Sequence, residues 1–338
     1  MNVLIVRLGA LGDIVHAVPA VAALRAAAPD ARIDWLVDRK HRTIVDLVTS
    51  IDRTIVLERP TPAGWIETLR TLREGRYDWA LDFQGLLKSA VLARASGAAR
   101  VAGFSIWHLR EKTARVFYTD LAPARRAEAG LPANAGHVIR QNLRLLRALG
   151  IDDDRITFPL APVDSAVVAT VRATVGGDGS FALINPGAAW PNKRWPPERF
   201  GEVAAFLRDV RQLPSVVLWG PGENALAQAV VDASAGAARL CPATNVTDIL
   251  ALCRSAALMV SGDTGPLHIA SAAGTPTVSI FGPTDPERNG PWAAADVTVS
   301  RFASCRCHYR RRCHERAWCL ADLPVTEVTA AAAQRLRS

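Results

Sequence analysis

The chain has 338 residues, of which 49% are hydrophobic and 21% are charged. This composition excludes an intrinsically disordered protein, and the length is enough for two domains of roughly 150 residues each. The 40 Lys and Arg residues exceed the 32 Asp and Glu residues by eight, a surplus that suits an anionic partner such as nucleic acid, a phosphorylated substrate or an acidic membrane surface.

The chain opens with an apolar run at residues 3–6, which predicts a buried strand. The run has no basic region before it and no small-residue cleavage site after it, so we do not expect a signal peptide. No stretch approaches the ~20 apolar residues that are needed to span a bilayer. We therefore expect a cytoplasmic protein with at most peripheral contact with a membrane.

Short apolar runs then alternate with helical patterns. In the first half we predict a helix at 13–28, strands at 33–37 and 79–82, and a helix at 136–150 that ends at a glycine. The alternation restarts in the second half, where one helix is predicted at 197–210. The predicted strands of that half are 181–184, 215–219, 258–260 and 277–281.

Strands that alternate with helices predict parallel sheets, and two such series predict two doubly wound, Rossmann-like α/β domains that face a cleft. Acidic residues and prolines interrupt the pattern between residues 150 and 175, so we place the domains at 1–160 and 161–338. Parallel α/β sheets bind ligands at the carboxyl ends of their strands. The glycines and polar residues that follow the predicted strands are therefore the candidates for function.

The loop after the first strand contains Gly9, Gly12 and Asp13. It lacks the dinucleotide-binding fingerprint, and an acid at a helix start would repel a pyrophosphate. Aspartate is a favoured N-cap residue, so one interpretation of Asp13 is a helix cap. The other is a general base that faces the cleft.

A second loop, residues 185–196, follows a predicted strand and is stiffened by three prolines. Lys193 and Arg194 near its end offer two cations, which predicts a phosphate-binding loop. The alternative interpretation is a solvated basic turn, because surface charge is common.

The strongest signal is the segment 261–276, in which a strand leads through a polar turn into a helix near Pro266. Thr264 and Gly265 would place backbone N–H groups at the positive end of that helix, ready for a diphosphate. His268 in the first turn could donate to a phosphate or a ribose, or could be a core histidine. Glu223 follows another strand and could accept hydrogen bonds from ribose hydroxyls.

Together these motifs resemble glycosyltransferase family 9, and above all its ADP-heptose:lipopolysaccharide heptosyltransferases. The residues that carry the resemblance are Gly9-x-x-Gly12-Asp13, Lys193-Arg194-Trp195-Pro196 and Gly262-Asp263-Thr264-Gly265-Pro266-Leu267-His268. The stretches 82–89 and 280–284 fit the same pattern, so the resemblance spans nearly the whole chain. It implies a GT-B fold with an acceptor-binding first domain and a donor-binding second domain, and an inverting transfer that needs no metal ion.

The resemblance also implies roles and partners. Asp13 matches the catalytic base, and the residues that match the donor site are Lys193, Glu223, Asp263, Thr264, Gly265 and His268. The donor would be ADP-heptose, and the acceptor the anionic inner core of lipopolysaccharide with its Kdo acids and lipid A phosphates, reached by peripheral contact with the inner membrane. We predict acceptor contacts at Gly12, Gln84, Lys88 and Arg110, although Arg110 could equally belong to a solvated surface. Further basic residues are either acceptor contacts or solvated surface, namely Lys112, Arg115, Arg125 and Arg126.

Four cysteines and two histidines lie within residues 305–319. This density indicates a metal site, although the spacing C-x-C-x5-C-x5-C lacks the usual C-x2-C pairs. Related family members carry a cysteine-bearing tail, and one branch that glycosylates autotransporter proteins is associated with iron. The resemblance therefore implies a structural zinc or iron ion at Cys305, Cys307, Cys313 and Cys319; otherwise the thiols simply pack and the arginines face phosphates. The two other cysteines, Cys241 and Cys253, are expected to be buried thiols.

Three competing functions remain open to test. A nicotinamide-dependent dehydrogenase would also be doubly wound, but its fingerprint is absent. A nucleic-acid-binding protein would suit the charge, but no binding motif is present and the basic residues are dispersed, so we expect no nucleic acid partner. A relative that heptosylates a protein or another glycan, or a non-catalytic relative that binds nucleotide-sugars, is the remaining alternative.

Overall fold

The computed structural model describes residues 1–58, 61–122, 136–176 and 179–337. These residues form two compact units, Met1–Ala161 and Pro162–Ser338. The division lies one residue after the predicted boundary between residues 160 and 161. Arg125 and Arg126, which were predicted to contact the acceptor or lie on the surface, fall outside the described residues.

The first unit contains one six-stranded parallel sheet. Its strands are β1 (Asn2–Val6), β2 (Arg32–Asp38), β3 (Arg53–Leu57), β4 (Trp79–Asp82), β5 (Arg100–Gly103) and β6 (Asp120–Leu121). They lie in the order β3-β2-β1-β4-β5-β6. Residues 3–6 of the central strand β1 are fully buried, as expected for a strand that helices cover on both faces.

The described residues of this unit also form five α-helices and three short 3-10 segments, most of which connect these strands. The α-helices are α1 (Leu11–Ala27), α2 (Arg42–Asp46), α3 (Pro62–Glu74), α4 (Leu87–Ala95) and α5 (Val138–Leu145). The 3-10 segments are Arg39–His41, Lys112–Phe117 and Leu146–Leu149. The predicted helix at 136–150 is therefore shorter and changes to 3-10 geometry before it ends at Gly150, whose φ of 76° is the left-handed conformation that glycine adopts readily.

The second unit repeats the arrangement. Its strands are β7 (Ala182–Asn185), β8 (Ser215–Val217), β9 (Ala238–Leu240), β10 (Leu258–Gly262), β11 (Thr277–Phe281) and β12 (Val297–Ser300). They are again all parallel, in the order β12-β11-β10-β7-β8-β9. Counted from the first strand of each unit, both sheets have the same strand order.

Helices pack around this second sheet and close its core. They are α6 (Ala166–Val175), α7 (Pro197–Arg211), α8 (Asn224–Ala233), α9 (Val246–Ser255), α10 (Gly265–Ala273), α11 (Pro286–Asn289) and α12 (Val325–Arg335), with 3-10 segments at Pro191–Lys193 and Cys319–Asp322. The core combines strand residues such as Ile184 and Val260 with Phe200 and Leu207 of α7. Within the described ranges, no helix has both the length and the apolar character needed to cross a bilayer.

Gly201 lies where α7 packs against α8. A Cβ atom at this position would lie 2.7 Å from the Cβ of Ala233 and 2.9 Å from the carbonyl oxygen of Val230. Overpacking a well-filled contact typically costs ~1–3 kcal/mol, against a gain of up to ~1 kcal/mol from the better helix propensity of alanine. We therefore expect Gly201→Ala to lower the free energy of unfolding by about 1–2 kcal/mol, measured by urea denaturation.

Gly179→Ala is the matched control, because a Cβ there meets no atom within 4 Å. If Gly201→Ala were as stable as the control variant, the packing of α7 on α8 described above would be wrong.

Candidate functional site

The strand order of each sheet reverses at one point. The reversal lies between the neighbouring strands β1 and β4 in the first unit, and between β7 and β10 in the second unit. Chains that leave two such neighbouring strands turn to opposite faces of the sheet, which opens a crevice at the carboxyl ends where ligands bind. Register places Val6 beside Asp82 in the first unit and Asn185 beside Ser261 in the second. Most of the predicted catalytic, donor and acceptor residues follow these four strands; Arg110 follows β5 and Glu223 follows β8 instead.

Asp13 lies in the first turn of α1, just beyond the end of β1. Its Oδ2 atom is 2.7 Å from Nη2 of the buried Arg7 and 3.8 Å from Nη2 of the exposed Arg110. The N-cap residue of α1 is Ala10, so the interpretation of Asp13 as the N-cap is wrong. The helix begins two residues earlier than predicted, and the Asp13 carboxylate instead accepts a hydrogen bond from the Ala10 N–H at 3.3 Å. With a fifth of its side chain exposed, Asp13 remains a candidate to accept a proton.

The loop after β4 holds this turn in place. Gln84 Oε1 accepts a hydrogen bond from the Leu8 N–H at 2.8 Å, which ties the loop after β4 to the loop after β1. Buried Asp82 accepts hydrogen bonds from the Gln84 N–H at 2.8 Å and from the Tyr118 hydroxyl at 2.7 Å. Burial raises the pKa of Asp82, and these hydrogen bonds partly offset the rise. Gln84 thus supports the Gly9–Asp13 turn.

The remaining predicted acceptor residues lie near this turn in sequence or in space. Gly12 is the second residue of α1, and half-buried Lys88 is the second residue of α4. Arg110 reaches Asp13 from the segment that leads to the 3-10 turn at 112–117. The structure therefore brings Arg110 to the candidate base, while Gln84 and Lys88 belong to the adjoining loop and helix.

His41 is a residue of this region that we did not predict. It ends the 3-10 turn after β2, and its ring lies so close to Gly9 that a Cβ there would be 2.8 Å from His41 Cδ2. Among the described residues its buried Nε2 atom has no hydrogen-bond partner. Burial lowers the pKa of His41, which favours the neutral ring near pH 7. In the sequence, the feature that could have indicated a role for His41 is its position shortly after the predicted strand 33–37.

In the second unit, Asp263 is the centre of a hydrogen-bonded cluster. Its Oδ2 atom is 2.5 Å from Lys193 Nζ and accepts a hydrogen bond from the Thr284 hydroxyl at 2.6 Å. Its Oδ1 atom is 3.3 Å from Nε2 of His268. Lys193 is only 15% exposed, so its interpretation as a solvated basic turn is wrong. His268 is buried, as a core histidine would be, but its ring faces a carboxylate.

The charges of this cluster depend on one another. Burial opposes ionisation of Asp263, but the hydrogen bond from His268 and the positive charge of Lys193 outweigh it and hold the pKa of Asp263 well below its usual range. The ammonium group of Lys193 also lies 4.6 Å from the centre of the Trp190 ring. Asp263 thus stays ionised and fixes Lys193 beside the start of α10.

Asn185 connects the two strand ends at this crevice. Its Nδ2 atom donates hydrogen bonds to the hydroxyl oxygens of Ser261 at 3.0 Å and Thr264 at 2.9 Å. Thr264 is the N-cap of α10, and Gly265 is the first residue of that helix. The N-terminal N–H groups of a helix lack partners within it and attract anions. Asn185 was not predicted as a site residue, although it ends a predicted strand.

Glu223 lies beside the loop after β7. Its Oε2 atom accepts a hydrogen bond from the Gly220 N–H at 3.1 Å, and its Oε1 atom is 3.6 Å from Arg194 Nη2. A Cβ atom at Gly187 would lie 2.2 Å from Glu223 Oε2, so only glycine leaves room for the carboxylate. The structure thus brings Glu223 to the same loop as Lys193.

The cysteines near the end of the chain are all free thiols. Cys307 Sγ is 3.1 Å from Cys313 Sγ, and the Cys307 N–H donates to Cys305 Sγ at 3.4 Å. Within the part of the chain that the structure describes, no group of three or more His, Cys, Asp or Glu side chains is arranged to hold a metal ion. The metal site at Cys305, Cys307, Cys313 and Cys319 stays a prediction.

Cys241 and Cys253, by contrast, are buried in the second unit. Burial raises the pKa of each thiol to about 12. The prediction that both are buried thiols is confirmed.

Comparison with known proteins places this geometry in a family. The family model for glycosyltransferase family 9 (heptosyltransferase) matches residues 65–319. Lipopolysaccharide heptosyltransferase 1 of Pseudomonas aeruginosa is 28% identical over 324 residues, which cover 93% of this chain and 87% of that protein. The protein of the same name from Escherichia coli K12 is 27% identical, with 85% of this chain and 89% of that one covered.

Solved structures show the same fold. A family 9 glycosyl transferase from Veillonella parvula superposes with a TM-score of 0.81 at 23% identity, and the alignment covers 99% of this chain and 97% of that one. The E. coli heptosyltransferase WaaC with ADP gives a TM-score of 0.77 at 22% identity, with 99% and 100% covered. The predicted fold class, two doubly wound α/β domains of the GT-B type, is confirmed.

Proposed function

The chain belongs to glycosyltransferase family 9, and on that premise we propose that it transfers heptose from ADP-heptose to the inner core of lipopolysaccharide. The observation that carries the proposal is the cluster of Lys193, Asp263 and His268 at the start of α10. It offers a fixed cation and a helix N-terminus at one strand crevice, which suits a diphosphate. Curated relatives that align over most of this chain are named lipopolysaccharide heptosyltransferases.

On the donor side, the proposed chemistry is stabilisation of the leaving group. As the bond between heptose C1 and the β-phosphate oxygen breaks, ADP gains negative charge. Lys193 and the N-terminus of α10 would stabilise that charge, and Asp263 would hold Lys193 in position. Glu223, fixed between Gly220 and Arg194, would accept hydrogen bonds from the ribose hydroxyls.

On the acceptor side, Asp13 would act as the general base. The acceptor hydroxyl oxygen forms the new bond to C1 from the face opposite the leaving ADP, and its proton passes to the Asp13 carboxylate. This single displacement inverts the anomeric configuration. Arg7 holds the carboxylate by an ion pair at 2.7 Å and would act as a positioning residue.

We further propose that transfer needs no divalent ion, because Lys193 and the helix N-terminus supply positive charge where a metal-dependent enzyme would use a cation. Brief treatment with EDTA is expected to leave the initial rate of transfer unchanged. The melting temperature and the amount of bound metal are measured on the same sample. A structural ion at the tail cysteines would appear as bound metal and as a lower melting temperature after its removal. Rapid loss of activity at unchanged stability, restored by magnesium or manganese, would contradict the metal-independent mechanism.

The proposed acceptor is a lipid, and one surface of the first unit suits contact with an anionic membrane. It is made of exposed residues of α4 and of the segment 106–116, part of which packs against α4. The apolar members are Leu87, Val91, Ile106, Trp107 and Val116, and the basic members are Arg110, Lys112 and Arg115. Leu87 donates its N–H to Glu111 Oε2 at 2.7 Å, which holds the 104–111 segment against the start of α4. We propose that this basic apolar surface rests on the cytoplasmic face of the inner membrane, with Arg110 leading to Asp13.

The double variant Trp107→Ser/Val116→Ser is expected to weaken binding to vesicles that contain anionic lipid by about tenfold or more, since it removes two side chains that are 65% and 78% exposed. Co-sedimentation measures the bound fraction. Val210→Ser is the matched control, because Val210 is 59% exposed in the second unit. If the double variant and the control bound equally well, the basic apolar surface would not be the membrane contact.

The decisive test of the proposed function is transfer from ADP-heptose to a defined Kdo-lipid A, followed by mass spectrometry of the lipid. We expect a product heavier by one heptose. Product on a protein or another glycan, but not on Kdo-lipid A, would favour the alternative acceptors. ADP-heptose binding without any transfer would favour a non-catalytic relative.

A further inference from the structure

The cysteine-rich segment 305–319, here called the tail, lies before α12 and is hydrogen-bonded to the loops that carry the donor cluster. The Tyr309 N–H donates to the carbonyl oxygen of Pro283 at 2.9 Å, directly before Thr284. Asn192 Nδ2 donates to the carbonyl oxygen of Arg310 at 3.0 Å, directly before Lys193. Thr284 and Lys193 both contact Asp263. The tail is therefore linked to this carboxylate by two routes, one through Pro283 and Thr284 and one through Asn192 and Lys193.

Two thiols lie at the ends of the tail segment that makes these contacts. Cys307 and Cys313 flank Tyr309 and Arg310, and their sulfur atoms are 3.1 Å apart. The His314 N–H donates to Cys307 Sγ at 3.3 Å, and the Arg310 N–H donates to the Cys307 carbonyl oxygen at 3.2 Å. The segment is thus already folded back on itself, with the two sulfurs in contact.

One of the two thiols is accessible to a small molecule. Cys307 is buried, whereas Cys313 is half-buried and lines a cavity of about 340 Å³. The charged residues that line this cavity are Arg301, Arg306, Arg316, Glu315 and Asp322. Arginine binds carboxylates well, so a small disulfide that carries carboxylates is a suitable reactant.

We propose that Cys307 and Cys313 form a reversible oxidation site, at which a low-molecular-weight disulfide converts the two thiols into a protein disulfide. The Cys313 thiolate attacks one sulfur of the small disulfide and releases the first small thiolate. The Cys307 thiolate then attacks Cys313 Sγ and releases the second. The protein dithiol loses two electrons, the small disulfide gains them, and the two thiol protons end on the two small thiols.

The bond would close a ring over residues 307–313, and its consequence for the donor site rests on the proposed function. In the ring, Tyr309 and Arg310 are confined to the conformation that contacts Pro283 and Asn192. Confinement before binding removes part of the ordering cost that ligand binding otherwise carries. We expect the oxidised protein to bind ADP about threefold to tenfold more tightly than the reduced protein.

The first experiment maps the bond in the full-length protein. The reduced protein is equilibrated with mixtures of reduced and oxidised glutathione, free thiols are alkylated, and non-reduced tryptic peptides are analysed by mass spectrometry. Trypsin cleaves after Arg306, Arg310, Arg312 and Arg316, so each tail cysteine falls in a separate peptide. We expect the peptide that contains Cys307 to be linked to the one that contains Cys313, with loss of the mass of two hydrogen atoms and recovery on reduction.

Two variants make the assignment specific. Cys313→Ser should abolish the linked peptides, whereas Cys305→Ser, a cysteine of the same tail outside the pair, should retain them. A bond from Cys305 to Cys319 in the wild-type protein would overturn the proposal. The proposal would also be overturned if the thiols stayed reduced in excess oxidised glutathione. It would be overturned as well if one equivalent of bound metal protected the thiols from oxidation.

Calorimetry with ADP then tests the coupling separately. The wild-type protein and Cys305→Ser should show the redox-dependent change in affinity, and Cys313→Ser should not. Equal ADP affinity of the oxidised and reduced forms would overturn the coupling but leave the mapped bond intact. Absence of ADP binding in both forms would count against the proposed function, not against the oxidation site.

Discussion

Replacing Asp13 with Asn is expected to lower kcat for heptose transfer by about 10²–10⁴-fold, the usual cost of losing a general base. Asparagine keeps an oxygen that can accept a hydrogen bond from Arg7, which otherwise contacts the carboxylate at 2.7 Å, but it cannot take the acceptor proton. ADP affinity should stay near that of the wild type, because the proposed nucleotide contacts belong to the second unit. Steady-state kinetics and calorimetry measure the two effects.

Asp30→Asn is a suitable control, since Asp30 is exposed in the same unit. The Asp13 variant should also be checked by melting temperature, because Arg7 is buried and loses its ionic partner. A folded Asp13→Asn protein that works within a few-fold of the wild-type rate would exclude the base role.

Replacing Lys193 with Ala is expected to raise the Kd for ADP by about 10–100-fold and to slow transfer as well. A hydrogen bond to a charged group contributes ~1.5–3 kcal/mol, and each 1.4 kcal/mol is a factor of ~10 in affinity. The leaving diphosphate carries more charge in the transition state than in the bound donor, so kcat should fall in addition to the weaker binding. Calorimetry with ADP and single-turnover kinetics separate the two contributions.

Stability must be separated from binding in this variant, because removal of one partner from a buried ion pair typically costs ~3–5 kcal/mol. The double variant Lys193→Ala/Asp263→Asn removes both charges and should recover part of the lost stability without recovering ADP affinity. Arg172→Ala, at an exposed position of the same unit, is the control for loss of a surface cation. Unchanged ADP affinity in a folded Lys193→Ala protein would contradict the placement of Lys193 at the diphosphate.

The sequence was sufficient to propose Lys193, Asp263 and His268 as candidates, because each follows a recognisable apolar strand and lies near a helix start. It did not reveal that Lys193 and Asp263 form an ion pair. The two residues are 70 positions apart, and their contact depends on β7 lying next to β10 in the sheet. Local periodicity predicts a strand but carries no information about which strand becomes its neighbour.

Strands at or next to the sheet edges were missed for a related reason. β9 has three residues, and β3 and β5 each begin with an exposed arginine, so their apolar signal is short. The contacts of His41 with Gly9 and of Glu223 with Gly187 were also beyond the sequence, because each depends on two loops from different strands meeting at one edge. The loops could be proposed as functional from the sequence, but their mutual contacts could not be predicted.

The division of the chain into Met1–Ala161 and Pro162–Ser338 has a consequence for how such enzymes diversify. The candidate base and the basic apolar surface belong to one unit, and every proposed nucleotide contact belongs to the other. On the proposed roles, recombination near residue 161 is expected to exchange acceptor specificity as a block while the choice of donor is inherited unchanged. Chimeras of this chain with its relatives, joined at that position, would test whether the acceptor changes while the donor stays the same.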